Sequence, residues 1–170
     1  MPLLKSVDEE ALAMGAVNTL VWDENGWSGR NTDGYGLEEG VQQDLGVRLQ
    51  DSSVLILGAG GAARAATAQC LLRGCETVWL GNRSLDRLAG VTEALSNVFE
   101  SHRIRTFALS ELPPEIKALE NLLVINATSL GLRKNDPSPL AMDGLSSNTK
   151  VYDMIYNPPE TALIREGVKA

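Results

Sequence analysis

Ser53-Val54-Leu55-Ile56-Leu57-Gly58-Ala59-Gly60-Gly61-Ala62-Ala63 decides the fold. Its continuous apolar run, Val54 to Leu57, reads as a strand covered on both faces. The residues Gly58 to Ala63 read as a turn, and Ala62 to Leu72 as an Ala-rich helix with Gly74 at its end. The turn matches G-x-G-x-x-A. That pattern is weak alone, but here it follows a buried strand and opens a helix, which is the context it requires. Each position answers a physical need. Gly58 permits the tight turn, Gly60 lets a pyrophosphate approach bare backbone, and Ala63 lets the helix pack on the sheet. The helix N-terminus presents free N–H groups and a partial positive charge to phosphates. Gly58, Ala59, Gly60, Gly61 and Ala62 are therefore expected to hold a dinucleotide.

Strands and helices alternate downstream. Thr77 to Leu80 reads as a strand, followed by a helix capped by Ser84 and running to about Phe99. Arg105 to Ala108, Leu122 to Ile125 and Val151 to Ile155 read as further strands. A short helix or turn starts at Pro113-Pro114, and a last helix covers Pro159 to Arg165. This order predicts an α/β fold, a Rossmann-type doubly wound parallel sheet with helices on both faces.

Upstream the grammar differs. Ser6 to Met14 reads as a helix with Ser6 as its cap and Gly15 as its end. Ala16 to Trp22, the turn Asp23-Glu24-Asn25-Gly26 and Trp27 to Asn31 read as a β-hairpin. Gly34 to Leu45 has helical spacing and ends at Gly46. Asp33 stands just before it, where a carboxylate serves equally as a helix cap or as a functional group.

The tip of the second strand selects the cofactor. NAD-binding domains place an acid there, about 20 residues past the glycines, for the ribose 2′-hydroxyl. This chain has Gly81-Asn82-Arg83-Ser84, with Arg87 one turn further on. Two guanidiniums and a hydroxyl suit a 2′-phosphate, which a carboxylate would repel. NADP is the expected cofactor.

Composition narrows the partners. The 170 residues carry 15 basic and 22 acidic side chains, a net charge of −7. That balance is a poor footprint for nucleic acid or an anionic membrane. No apolar run approaches the roughly 20 residues of a membrane span, and Met1 to Glu10 lack the apolar stretch of a signal peptide. Cys70 and Cys75 fit no common metal spacing and read as reduced, buried thiols of a cytoplasmic protein. No metal site is expected. His102, beside Arg103, reads as a surface residue.

The sequence resembles the shikimate dehydrogenase family. Four blocks carry the resemblance: Gly15-Ala16-Val17-Asn18-Thr19, Asn31-Thr32-Asp33-Gly34, the glycine loop with Asn82 to Arg87, and Asn126-Ala127-Thr128-Ser129. Tyr152-Asp153-Met154-Ile155-Tyr156 extends it. The resemblance implies reduction of 3-dehydroshikimate to shikimate with NADPH, in chorismate and aromatic amino-acid biosynthesis. It implies that Asn18, Asp33 and Tyr156 meet the substrate and that Asp33 pairs with a catalytic lysine. By the same resemblance, Asn82, Arg83 and Arg87 clamp the adenosine phosphate, and Thr128, Ser129 and Met154 lie near the ribose and nicotinamide.

The resemblance also implies a division into residues 1–33, the end of a substrate-binding domain, and residues 34–170, a nucleotide-binding domain that the family continues beyond Ala170. The family's lysine falls upstream of Met1, and Lys5 reads as a solvated helix edge. This piece alone is therefore expected to bind NADP(H) without turning over shikimate. An open sheet edge beside Val151 to Ile155 is expected to favour a homodimer. Three other readings stand beside this one: a non-catalytic nucleotide module, a quinate-preferring enzyme of the family, and a methyltransferase binding S-adenosylmethionine. Arg83 and Arg87 count against the last, whose ligand has no 2′-phosphate.

Overall fold

The computed structural model describes residues 3–169. Met1, Pro2 and Ala170, which enter the sequence reading only at the two ends of the chain, lie outside them. Two sheets organise the described residues. The smaller has three strands in the order β1 (Ser6–Val7), β3 (Gly26–Arg30), β2 (Thr19–Asp23). β2 and β3 form the expected antiparallel hairpin, while β1 runs parallel to β3.

The helix α1 (Glu9–Met14) follows β1. Its cap is Asp8, whose carboxylate accepts from the Ala11 N–H at 2.7 Å. Ser6 is not the cap, because it belongs to the ladder with Ser28, and its hydroxyl donates to that of Ser28 at 2.9 Å. Gly15 ends the helix at φ +64. Asp8→Ala is expected to cost about 1 kcal/mol, the usual scale for losing an N-cap, and Ser6→Ala a few tenths at most. Urea denaturation of both variants checks the assignment, and equal losses would return the cap to Ser6.

The larger sheet is parallel throughout, in the order β6 (Ile104–Ala108), β5 (Val78–Asn82), β4 (Ser53–Leu57), β7 (Leu122–Asn126), β8 (Lys150–Asp153). The chain builds β4, β5 and β6 outward on one side, then returns to place β7 against β4. That reversal makes the doubly wound fold and opens a crevice at the carboxyl ends of β4 and β7. β8 starts one residue before the expected Val151 to Ile155 and stops at Asp153, which still pairs with Asn126 while its carboxylate accepts from the Ile155 N–H beyond the strand.

Period-two alternation splits the core. Val54 and Ile56 face one apolar layer with α2 (Asp33–Leu45), α3 (Gly61–Leu72) and α4 (Leu85–Ser96). Leu55 and Leu57 face the other, with Ile116 of α5 (Pro114–Lys117) and Leu163 of α6 (Ala162–Gly167). α4 stops short of Phe99, and α6 begins at Ala162, after the Pro159 that the sequence reading included. Ala13 and Met14 of α1 join the first layer. No helix among the described residues is long and apolar enough to cross a membrane.

Polar contacts also bind α1 and α2 to α3. Glu38 accepts from Gln69 Nε2 at 2.8 Å and Arg73 Nε at 2.6 Å, and Arg73 lies 3.6 Å from Glu10. The Glu38 carboxylate holds the Arg73 guanidinium above its ordinary range, ahead of the opposing effect of burial. A Cβ on Gly34 would collide with Met14 and Gln69, so glycine there lets α2 lie close on α3. This packing fixes where α2 begins, and α2 begins with Asp33.

Cys70 and Cys75 are both buried and free. His102 is 78% exposed near Glu100. Lys5 is not at a helix edge: it precedes β1 and lies 3.8 Å from Asp23 at the hairpin turn.

Candidate functional site

The site gathers at the carboxyl ends of the parallel strands. Gly58 leaves β4 at φ +122, and its N–H donates to Gly81 O at 2.8 Å. A Cβ there would lie 2.8 Å from the Ala127 carbonyl oxygen. Ala127 N–H in turn donates to Leu57 O at 2.9 Å, so the loops after β4 and β7 are stitched together. Gly60 and Gly61 differ from Gly58, because a Cβ on either would meet nothing within 4 Å. Bare backbone thus faces open space at the start of α3, whose first N–H groups have no intrahelical acceptor. That arrangement fits a phosphate group.

The helix α4 lies across a groove from this loop. Ala59, Gly60, Gly61, Arg64 and Arg87 all line it, and its volume is about 440 Å³. Asn82 Nδ2 donates to Ser84 O at 3.1 Å, which shapes the turn into α4. Ser84 occupies the cap position of α4, but its side chain makes no capping hydrogen bond. Arg83 and Arg87 are exposed and have no protein acceptor or carboxylate partner among the described residues. One hydroxyl and two guanidiniums therefore stand free where the sequence reading places a 2′-phosphate.

The loop after β7 is built around Asn126, which is fully buried. Its Nδ2 donates to Leu130 O at 3.1 Å and to Asp153 Oδ1 at 3.0 Å. Its Oδ1 accepts from the Thr128 N–H at 3.0 Å and the Thr128 hydroxyl at 2.8 Å. The Thr128 hydroxyl also accepts from the Leu130 N–H at 3.0 Å. Thr128 is thus occupied in shaping the loop, while the neighbouring Ser129 is exposed. Asp153 also accepts from the Ile155 N–H at 3.0 Å and the Thr161 hydroxyl at 2.6 Å. Met154 N–H donates to Asn126 O at 3.1 Å, bringing Met154 beside this loop. Asn126, Asp153 and Thr161 organise this end of the site, and the sequence reading assigned none of them a role.

Further along, Asp136 accepts from the Gly131 and Arg133 N–H groups, both at 3.0 Å. Those two N–H groups, Arg133's first, hold its carboxyl below the usual carboxylate range. The contribution of this group is present at neutral pH and is lost as acid titrates it.

The second cluster lies where the small sheet meets α2. Asn18 Nδ2 donates to Asp33 Oδ1 at 2.7 Å. The orientation of the Asn18 amide is set on its other side: Oδ1 accepts from Thr19 Oγ1 at 2.9 Å, Thr32 N–H at 3.1 Å and Thr32 Oγ1 at 3.3 Å. With the oxygen held by three donors, the NH₂ group must turn to Asp33. Asn31 completes the frame, accepting from the Asp33 N–H at 2.9 Å and donating to Ala16 O at 3.0 Å. Asp33 is not the helix cap. Thr32 holds that position, and Asp33 is the first helical residue, with its carboxylate directed to Asn18. Both Asn18 and Asp33 are exposed, so a small molecule can reach them.

The structure thus brings Gly58, Thr128 and Met154 to one end of the sheet, the glycine loop and Arg87 to one groove, and Asn18 to Asp33. Tyr156 stands apart, 92% exposed in the loop after β8.

Known proteins share this organisation. Residues 39–133 match the family described as shikimate/quinate 5-dehydrogenase. The chain is 37% identical over 167 residues to the shikimate dehydrogenase (NADP(+)) of Geobacter metallireducens, covering 98% of this chain and 58% of that protein. Among solved structures, it is similar to shikimate 5-dehydrogenase from Thermus thermophilus in complex with NADP(H) and shikimate. That similarity has a TM-score of 0.75 at 32% identity and covers 98% of this chain and 57% of that one. It also resembles quinate dehydrogenase from Corynebacterium glutamicum in complex with NAD, with a TM-score of 0.84 at 27% identity, over 99% of this chain and 59% of that one. The chain therefore spans somewhat more than half the length of these relatives.

Proposed function

The chain belongs to the shikimate/quinate 5-dehydrogenase family, and from that premise we propose that it serves an NADP-dependent dehydrogenase interconverting 3-dehydroshikimate and shikimate. In this reading, residues 34–170 hold the nucleotide, and residues 1–33 bring Asn18 to the substrate side of the cleft. Bound NADP supplies the hydride acceptor at its nicotinamide ring. The chain's own residues bind and orient. Gly58 to Ala62 receive the pyrophosphate, and Asn82, Arg83, Ser84 and Arg87 receive the 2′-phosphate. Ser129 and Met154 border the ribose and nicotinamide, and Thr128 acts by holding their loop. Asn18 and Asp33 take the substrate hydroxyls, with Tyr156 at the substrate edge.

The observation that carries this reading is the free polar set at the tip of β5. Among the described residues, two guanidiniums and a hydroxyl stand there without protein partners, and no carboxylate pairs with either guanidinium. The Asn18–Asp33 pair speaks against a module that only binds nucleotide, since such a module needs neither residue.

The chain is expected to bind NADP(H) more tightly than NAD(H), as read by calorimetry with both cofactors. Arg83→Ala should narrow the difference by about 1–3 kcal/mol, the scale of a hydrogen bond to a charged group. It should leave NAD(H) binding unchanged. Equal affinity of the unaltered chain for both cofactors would end the NADP assignment.

A further inference from the structure

Arg64 is the polar side chain of the nucleotide groove that the reading above leaves without a role. It lies on the first turn of α3, and its backbone N–H donates to Gly60 O at 3.0 Å. Its guanidinium lies on the side where Gly15 lacks a side chain. The carbon and both terminal nitrogens are each 3.7 Å from where a Gly15 Cβ would stand. The side chain is half-buried and lines the same groove as Gly60, Gly61 and Arg87.

Partly buried arginines usually find acceptors, and this chain shows it. Arg73 donates to Glu38, and Arg103 donates to the carbonyls of Leu71 and Cys75. Arg64 has neither a carboxylate within 4.0 Å nor a protein acceptor for its guanidinium among the described residues. A purely structural role at the end of α1 would show its N–H groups on the last carbonyls of that helix, and none of them is so placed. The guanidinium therefore has its donors unused, on the groove of an open glycine loop. A half-buried cation in that state is organised for an anion.

Two kinds of anion are available in an NADP site, the 2′-phosphate and the pyrophosphate. Arg83 and Ser84 occupy the β5–α4 turn, where the 2′-phosphate belongs. Arg64 sits on α3 itself, one turn from Gly60 and Gly61, and side chains on a helix lean toward its N-terminus. We infer that Arg64 is a pyrophosphate ligand, acting on NADP and NAD alike. The inference rests on the reading of Gly58 to Ala62 as a dinucleotide loop.

The test is calorimetry of the chain with NADP⁺ and with NAD⁺, comparing the unaltered protein, Arg64→Ala and Arg83→Ala. Arg64→Ala should weaken both nucleotides by the same factor, roughly tenfold to a hundredfold, whereas Arg83→Ala should weaken only NADP⁺. Inorganic pyrophosphate should compete with NAD⁺ on the unaltered chain and compete less well on Arg64→Ala. Circular dichroism and thermal melting establish that the variants fold. If Arg64→Ala does not, Arg64→Gln carries the same comparison. Unchanged affinity for both nucleotides in a folded variant overturns the inference and leaves the NADP reading standing. A loss confined to NADP⁺ overturns it as well, by moving Arg64 to the 2′-phosphate. Failure of the unaltered chain to bind either nucleotide overturns the dinucleotide reading, and this inference with it.

Discussion

Asp33→Asn is expected to lower the rate of shikimate oxidation by about 10²–10⁴, the usual worth of a group assisting proton transfer. NADP⁺ affinity should stay unchanged. The substitution is nearly isosteric, so the frame around it should survive: Asn31 still accepts from the residue 33 N–H, and Thr19 and Thr32 still hold the Asn18 oxygen. The new amide oxygen can keep the hydrogen bond from Asn18 Nδ2. What disappears is the negative charge. Oxidising a carbinol removes hydride from carbon and a proton from oxygen, and a carboxylate beside the proton-transferring group orients and tunes that group. The measurement is NADPH formation from shikimate and NADP⁺, made in a protein of the relatives' full length, with calorimetry on the same samples. Asn18→Ala should act differently. It removes a neutral contact that aligns Asp33 and a substrate hydroxyl, so its loss should appear in KM as well as kcat. Wild-type rates in Asp33→Asn would reduce Asp33 to a structural partner of Asn18.

The two halves of the site differ in how openly the sequence displays them. The run Val54 to Leu57 is readable because a strand buried on both faces must be apolar throughout. The glycine loop is readable because a positive φ and a close approach to the Ala127 carbonyl leave few alternatives to glycine at position 58. The basic tip of β5 is visible directly as Arg83 and Arg87 in a stretch where an acid is otherwise expected. Other features depend on neighbours distant in sequence. The cap of α1 is Asp8 and not Ser6 because β3 recruits Ser6 into a ladder, and local patterning does not contain that pairing. Asn126 reads as one member of a polar block. Its work lies in joining Thr128 to Asp153, 27 residues away from it. Asp33 stands open in the sequence between a cap and a functional group, and three donors on the Asn18 oxygen resolve the contact by forcing the amide toward it. Arg64 carries no signal of its own, since an arginine on an exposed helix turn and a half-buried one lining a groove look identical in sequence.

The glycine loop allows stability and binding to be separated by a single methyl group. Gly58→Ala should destabilise the fold by about 2–4 kcal/mol, from backbone strain and a backbone clash together. Gly60→Ala should leave stability unchanged and weaken nucleotide binding. Gly58 sits at φ +122, where an L side chain is strained, at a cost of about 1–3 kcal/mol. Its new methyl would also stand 2.8 Å from the Ala127 carbonyl oxygen. That carbonyl is backbone of a loop held by Asn126 and by the Ala127-to-Leu57 hydrogen bond, so it cannot yield cheaply. Relief requires the β4 and β7 ends to separate, which is felt in the core of the sheet. Gly60 has φ −102, an ordinary conformation for alanine, and its methyl would meet no protein atom within 4 Å. Such a replacement is neutral or slightly stabilising, because alanine has less freedom to lose on folding. The same methyl occupies the space through which a pyrophosphate approaches the backbone, so affinity for both NADP⁺ and NAD⁺ should fall by at least about tenfold. Urea denaturation should show a lowered midpoint with unaltered slope for Gly58→Ala and no shift for Gly60→Ala. Calorimetry supplies the other half. Full nucleotide affinity in Gly60→Ala would mean that the phosphates do not lie over this loop.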